Sequence, residues 1–429
     1  AATSTYNDVA IMGIVKKIWN SITHTKALEE SSGELETYFF ESVYRVTYLA
    51  GFSGSDRTVL YLLYSNILKL IILLLIYCEF WYFFTLAKDL DSITDGVNII
   101  FIQLSAMYKY KNLVKVFKTL ASSMESPYFE VSTEERKKFV TMWHNRNETY
   151  VRLILGLGTG TLVAWHTYPL VDDLEYNLMV RIRLPYDYYT LYRYIPTYCI
   201  VLIAFSYVAY FVMVNDLIMQ AHIMHLLCQF TVLGDGFRHI LRDCCENSEG
   251  IRNLKYLLHN VLFMTDEFKQ KYVYKLDNLI KQHQIILKNV AALKDILSGP
   301  MLAQLSVSTT LICSIGYQVA TSTENYTKCL MSLLYLGYNM SVLYIICRWC
   351  EEVTIQSNSI SDAVYSSGWE CGITSVPGVK ARLLIIIARA NKPLVLSAGG
   401  MYNLNLASYS NVRGSLSILL FLILDSIIK

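Results

Sequence analysis

Charge is scarce in this chain: Asp, Glu, Lys and Arg make up 17% of its 429 residues, while 54% are apolar. So little polar material means that most of the chain buries apolar groups in lipid rather than in a water-surrounded core. Nor is there an excess of either sign. A net charge of +2, with no basic block interleaved with aromatics, excludes nucleic acid as a partner. Catalytic signatures are missing too: no Ser/His/Asp arrangement, HExxH, Walker A or GxGxxG occurs. Gly156, Gly158 and Gly160 do alternate, but inside an apolar segment where small residues serve close helix packing. The ten cysteines are scattered, several of them (Cys78, Cys199, Cys313, Cys329) in apolar runs where a thiol acts as a small hydrophobe, so no disulfide framework is expected. His222 with His225, and Cys347 with Cys350, have ligand-like spacing but no second pair to complete a tetrahedral set. Neither a metal nor a cofactor is therefore expected, and an enzyme is not. Ala1–Asn20 lacks a charged start followed by a long apolar run and a cleavage site, so the first spanning helix is expected to direct insertion.

What is present is a succession of apolar runs of membrane length, which takes about 20 residues per span. They fall near 59–86, 93–110, 150–171, 194–217, 300–320 and 329–349, with a terminal one near 405–428. Leu383–Ala398 is also apolar, but Arg389, Lys392 and Pro393 interrupt it, which predicts a helix packed in protein. Retained positive charge marks the cytoplasmic side. The loop after the second span carries Lys109, Lys111, Lys115, Lys118, Arg136, Lys137, Lys138 and Arg146, and the one after the fourth carries ten more, Arg238 through Lys294. The intervening loops hold only Lys88, then Arg181, Arg183 and Arg193, then Lys328. The N-terminus is thus expected inside and the C-terminus outside. The sequon at Asn325 falls in an outer loop, as a glycan acceptor must, whereas Asn147-Glu148-Thr149 falls inside and reads as chance. Seven spans in this orientation reverse the topology of G-protein-coupled receptors, and neither DRY nor NPxxY is present.

The segment from Gln220 to Gly299 is too polar for lipid yet keeps helical periodicity, with Leu276, Leu279, Ile280, Ile286 and Leu287 around Lys275 and Lys281. It is expected to extend the fourth and fifth spans into the cytoplasm, turning at Gly234-Asp235-Gly236 and at Asn247-Ser248-Glu249-Gly250. The 33 tyrosines lie within spans as well as at their ends. Tyr335 and Tyr338 are three apart on the sixth span. On the third, Thr161 and Gly158 lie one and two turns from Trp165 on the same face. Together these residues suit a mostly apolar pocket with a few hydroxyls, as small-molecule sites are built; helix packing is the competing reading for each alone. On the terminal helix Asn411, Ser415, Ile418, Leu422 and Asp425 or Ser426 share a face by their spacing. Repeated about a symmetry axis, Asp425 would form an acidic ring favouring cations and Leu422 an apolar constriction; alternatively Asp425 sits hydrated at the interface.

Three runs then carry a resemblance: LIKQHQIILKNVAALKDILSGPMLAQL (279–305), SISDAVYSSGWE (359–370) and ARANKPLVLSAGGMYNLNLASYS (388–410) closely resemble segments of insect odorant receptors. The resemblance covers the last third of the chain by motif and the rest by span number and topology. It implies an all-α seven-span subunit of a tetrameric, ligand-gated, non-selective cation channel, with the last helix lining the pore and a cytoplasmic anchor holding the subunits together. By position it puts pocket residues at Gly158, Thr161, Trp165, Tyr335 and Tyr338, adds Val97, Ile100 and Phe101 on the second helix and Ile203 and Tyr207 on the fourth, and puts the constriction near Leu422. It implies as partners a small volatile odorant, co-receptor or identical subunits, lipid and permeating cations, in the plasma membrane of sensory neurons. The loop between the fourth and fifth spans lacks the insertion typical of the family's co-receptor, which favours an odorant-tuning subunit. The gustatory receptors' terminal TY…QF signature is absent after Ala407. A gustatory-type channel, or a metabotropic receptor that conducts nothing, are the other readings.

The division expected is a cytoplasmic N-terminal segment (1–58), a ligand-binding bundle of four spans (59–217), cytoplasmic helical extensions (218–299), two further spans (300–349), a cytoplasmic loop with the anchor helix (350–404) and the pore helix (405–429).

Overall fold

The computed structural model describes residues 17–24, 35–51, 58–86, 131, 133–171, 176–245, 266–321, 326–369 and 373–414, and single positions between 96 and 110 besides residue 13. Val97, Phe101, Asn325, Ser415, Ile418, Leu422, Asp425, Ser426 and the expected turn at 247–250 lie outside the described residues.

Long helices dominate: α1 (Leu35–Leu49), α2 (Val59–Thr85), α3 (Glu134–Val171), α4 (Leu191–Arg238), α5 (Ile240–Cys245), α6 (Asp266–Thr321), α7 (Tyr326–Tyr365) and α8 (Val379–Ala390), then a terminal helix, α9, described over 406–414. Among the described residues α2 and α4 are long and apolar enough to cross a bilayer. The expected spans at 150–171, 300–320 and 329–349 form the apolar parts of α3, α6 and α7. Along α2, Leu63, Ile67, Leu70, Leu74 and Tyr77 are all exposed. A continuous apolar strip of that kind is unfavourable against water and is what lipid covers.

α4 positions everything else. Its 48 residues make a rod of about 72 Å at 1.5 Å per residue, more than twice the roughly 30 Å hydrocarbon thickness. Its first turns expose Leu191, Tyr192, Ile195 and Ile200. From Met213 to Phe230 every residue is buried, because α1, α3, α6 and α7 surround it. The pairing with α3 is antiparallel, and the flexible Met213 side chain of α4 fills the space a Cβ on Gly158 would take.

The turn expected at 234–236 is not there. α4 runs on to Arg238 with Gly234, Asp235 and Gly236 buried inside it, and the helix ends at His239. Tertiary contact overrides the weak helix propensity of glycine: Gly236 lies where a Cβ would meet Leu279 of α6 at 2.7 Å, and Asp235 is tied to α3. The Arg136 guanidinium donates to Asp235 Oδ2 at 3.2 Å and to Asp243 Oδ2 of α5, with both carboxylates and the arginine buried. His239 Nδ1 meets Asp235 Oδ1 at 2.9 Å, and Arg242 Nη2 donates to Glu135 Oε2 at 2.7 Å. That bond is the main reason the exposed Glu135 carboxyl titrates below the usual range.

The segment before the first expected span is not merely a tail. α1 folds into the bundle, with Phe39 and Phe40 wholly buried and packed on His225 at ring distances of 5.4 and 4.9 Å. Among the described residues no cluster of His, Cys, Asp and Glu is arranged to hold a metal; His222 and His225 pack against these phenylalanines, and Cys347 and Cys350 are free thiols buried on α7. Asn147 is buried in α3, which is no place for a glycan.

The apolar run 383–398 is helical only as far as Ala390, where Asn391 and Pro393 end α8. Val379, Leu383, Ile386 and Ala390 form its buried stripe, and Arg382 Nη1 reaches Asp277 Oδ1 of α6 at 2.8 Å. A hairpin follows, β1 (Ser397–Ala398) antiparallel to β2 (Tyr402–Asn403). Its turn needs left-handed backbone at Gly399 (φ 60) and Gly400 (φ 71), the residues that adopt it without strain. Gly399 N–H donates to Ser298 O at 2.8 Å, and a Cβ there would meet Leu302 Cδ2 at 2.6 Å, so the hairpin is seated on α6 at its glycine.

His283, buried on α6 well before Pro300, is held neutral down to about pH 4, first by burial and then by Arg389. An unfolded histidine titrates near 6.5, so the unfolded chain takes up the proton first. Native stability owed to this group is therefore intact above pH 6.5 and falls by up to roughly 3 kcal/mol as pH drops from 6.5 towards 4. Thermal unfolding of the purified protein across that window should show the fall, and His283→Leu should remove its share, leaving that of the buried His222 and His225.

Candidate ligand-binding site

α3, α4 and α7 bring aromatic rings together near the end of the bundle that carries the 176–190 segment. The Trp165 indole of α3 meets Phe205 of α4 at 6.0 Å and stands edge-on to Tyr335 of α7 at 6.3 Å and 82°. All three side chains are half-buried, so their rings form a wall with open faces rather than a closed core. Such T-shaped and tilted pairs are the favoured geometry for aromatic quadrupoles. One turn below Tyr335, its carbonyl accepts from Asn339 Nδ2 at 3.0 Å, and Gln304 Nε2 of α6 donates to Asn339 Oδ1 at 3.2 Å. This amide pair joins α6 to α7 and holds Tyr335 in place. The Tyr338 hydroxyl is buried without a hydrogen-bond partner, a donor and acceptor left for something else.

A small polar set adjoins the wall. His166 Nε2 and Ser206 Oγ lie 2.8 Å apart, His166 Nδ1 is 3.3 Å from Met179 Sδ, and the Tyr198 hydroxyl donates to His166 O at 2.5 Å. Thr159 Oγ1 and the Tyr210 hydroxyl are 3.2 Å apart. The 176–190 segment folds down onto the bundle, burying Leu178, Met179, Val180 and Ile182. Tyr194 fixes it by donating to Asn177 O at 2.6 Å, and Arg183 by donating its N–H to Cys78 O at 3.2 Å while its guanidinium covers the Trp81 ring at 5.1 Å.

Of the expected pocket residues, the structure brings Trp165 and Tyr335 into ring contact, with Tyr338 one turn along the same helix. Thr161 is half-buried on α3 with its hydroxyl donating to Leu157 O at 2.9 Å. Gly158 is buried beneath Met213, where it serves helix packing, and Ile100 is buried in the second-span region. The register expected on the fourth helix does not hold. Ile203 is 64% exposed on the outer surface, and the Tyr207 hydroxyl donates to Ala50 O at 2.7 Å, towards α1. Phe205 faces Trp165 in their place, half a turn round the helix. Phe205, His166, Ser206 and Met179 went unnoticed in the sequence. The adjacency of Trp165 and His166 was visible there, but only antiparallel packing of α3 on α4 sets them opposite Phe205 and Ser206.

A bundle of long helices around one buried rod, with an aromatic wall and one unspent hydroxyl at Tyr338, suits a helical membrane receptor. The 7tm Odorant receptor family model matches residues 85–415, and the chain belongs to that family; it is a receptor and not an enzyme. It is 31% identical over 121 residues to Odorant receptor 85b of Drosophila melanogaster, covering 28% of this chain and 30% of that one. To Odorant receptor 2a of the same fly it is 24% identical over 149 residues, covering 34% and 36%, and to the fly's Odorant receptor coreceptor 21% over 136 residues, covering 32% and 27%. These alignments span about a third of the relatives' length. The fold matches the olfactory receptor OR5 of Machilis hrabei in complex with eugenol, with a TM-score of 0.72, 15% identity and coverage of 91% of this chain and 100% of that one. A second structure of the same receptor matches with a TM-score of 0.70 and 13% identity.

Proposed function

We propose that this receptor is an odorant-tuning subunit of a ligand-gated, non-selective cation channel, opened by a small volatile organic molecule held against Trp165, Phe205, Tyr335 and Tyr338. The observation that carries the ligand site is the contact of Trp165 with both α4 and α7: a molecule inserted at this wall touches three helices at once and can change their relative positions. The fold likeness to a receptor solved with eugenol supports the same ligand class. Binding rests mainly on apolar burial and ring contact, with the Tyr338 hydroxyl and the His166–Ser206 pair offering a few hydrogen bonds, so tuning is broad. The ligand opens the gate only to the extent that it binds the open state better than the closed one.

In this reading seven helices span the plasma membrane of a sensory neuron with the N-terminus inside, four subunits, identical or including co-receptors, surround one axis, and the segment beyond Gly414 lines the pore. Leu422 constricts it and Asp425 sets an acidic mouth, both on the face shared by Ser415, Ile418 and Ser426. The buried ends of α4, α6, α7 and α8 form the anchor. Purified protein in liposomes, alone or with co-receptor subunits and with no G protein, is expected to pass cation current when odorant is added, and Asp425→Lys to reduce cation permeation. Odorant binding without current in either preparation would favour the metabotropic reading.

A further inference from the structure

We propose that Glu79 carries a resident proton and is closed, as a carboxylic acid, into a reciprocal hydrogen-bonded ring with the amide of Gln103. Both side chains are more than nine-tenths buried, 4% and 2% exposed. Gln103 Nε2 donates to Glu79 Oε1 at 3.1 Å. The remaining oxygen of each side chain, Glu79 Oε2 and Gln103 Oε1, is buried with no hydrogen-bond partner. Were Glu79 ionised, both would be acceptors only, with no donor for either. A single proton on Glu79 Oε2 supplies the missing donor, and the Gln103 carbonyl is the acceptor left over. An acid and a primary amide present complementary edges, each with one donor and one acceptor, so one proton satisfies both orphaned oxygens.

The surroundings point the same way. Glu79 lies six residues before the end of α2 at Thr85, about 9 Å along the helix axis, among Ile72, Leu75 and Ile76 of the buried α2 face. Among the described residues no cation pairs with it. Arg183, held at the same turn by its N–H to Cys78 O, directs its guanidinium over the Trp81 ring instead. The Cys78 thiol is the titratable neighbour on its own helix. An acid at membrane depth persists when paired or neutral, and where no water reaches, every polar atom needs an internal partner. The proton makes Glu79 neutral and fully bonded together, and the ring then ties α2 to the second-span region through two hydrogen bonds without burying a charge.

Infrared difference spectroscopy of the full-length purified receptor at neutral pH tests this. Wild type minus Glu79→Gln is expected to show a carboxylic-acid carbonyl band that shifts on deuteration, while Glu79→Gln, an uncharged isostere able to keep the ring, unfolds within a few degrees of wild type. In Gln103→Leu the acid band is expected to persist and move to higher frequency as its partner is lost. Loss of a carboxylate band in place of an acid band in the first difference would overturn the proposal. Should Glu79→Gln fail to fold, the second difference decides alone: an unmoved carbonyl region in Gln103→Leu overturns it.

Discussion

Trp165→Ala is expected to raise the half-maximal odorant concentration by about ten- to a hundredfold, because some 1.4 kcal/mol of binding accompanies each factor of ten. The indole touches both Phe205 of α4 and Tyr335 of α7. Its removal takes away a large apolar contact for the ligand and the mechanical link through which the ligand would act on α7. Buried apolar surface contributes about 25 cal/mol per Å² and a favourable aromatic pair a further ~0.5–1.5 kcal/mol, so losing most of one indole face accounts for that range. Trp165→Phe should recover much of the response. Tyr338→Ala should act similarly, whereas Tyr338→Phe removes a hydroxyl with no protein partner and should leave stability unchanged while weakening only ligands that hydrogen-bond to it. Dose–response curves for several agonists, at matched surface expression, decide the matter. Wild-type curves for Trp165→Ala and Tyr338→Ala with every agonist would mean that the ligand binds elsewhere.

The second large effect belongs to folding. Arg136→Met should destabilise the receptor by about 3–5 kcal/mol, the usual consequence of removing one partner from a buried ion set and leaving its counter-charges behind. Here two carboxylates lose their shared cation. Asp235 retains only His239, and Asp243 retains Arg242 at 3.9 Å. The cost arises from stranded negative charge, so adding Asp235→Asn and Asp243→Asn to Arg136→Met should recover more than half of the loss. Thermal unfolding in detergent and the surface yield of the three variants test both statements; a triple variant no more stable than Arg136→Met would place the cost in lost packing instead.

These two sites were unequally legible in the sequence. Trp165, Tyr335 and Tyr338 stood out because large aromatics at helical spacing inside an apolar run ask for a purpose. Arg136 did not. It sits among many charges in a polar stretch, and its partners are 99 and 107 residues away, a pairing that no local pattern announces. The glycines at 234 and 236 misled for the opposite reason. Local propensity reads them as a turn, while both lie buried within a continuous helix, Gly236 against Leu279 and Gly234 against Ile360.

From the sequence alone came the membrane class, the positions of the long helices, and the family through its three C-terminal runs. All of these depend on quantities summed along the chain or on contiguous motifs. The tertiary structure decided which side of each helix faces inward. In a water-soluble protein the polar face would have told; along α4 at Ile203, Phe205 and Tyr207 the lipid side and the protein side are equally apolar, so periodicity groups residues into faces without saying which face meets the core. Packing settles it: Ile203 is exposed on the outer surface, Tyr207 bonds to Ala50 beside α1, and Phe205 turns to Trp165. The burial of α1 and the pairing of Glu79 with Gln103 were decided in the same way, by contacts between segments that share no local signal.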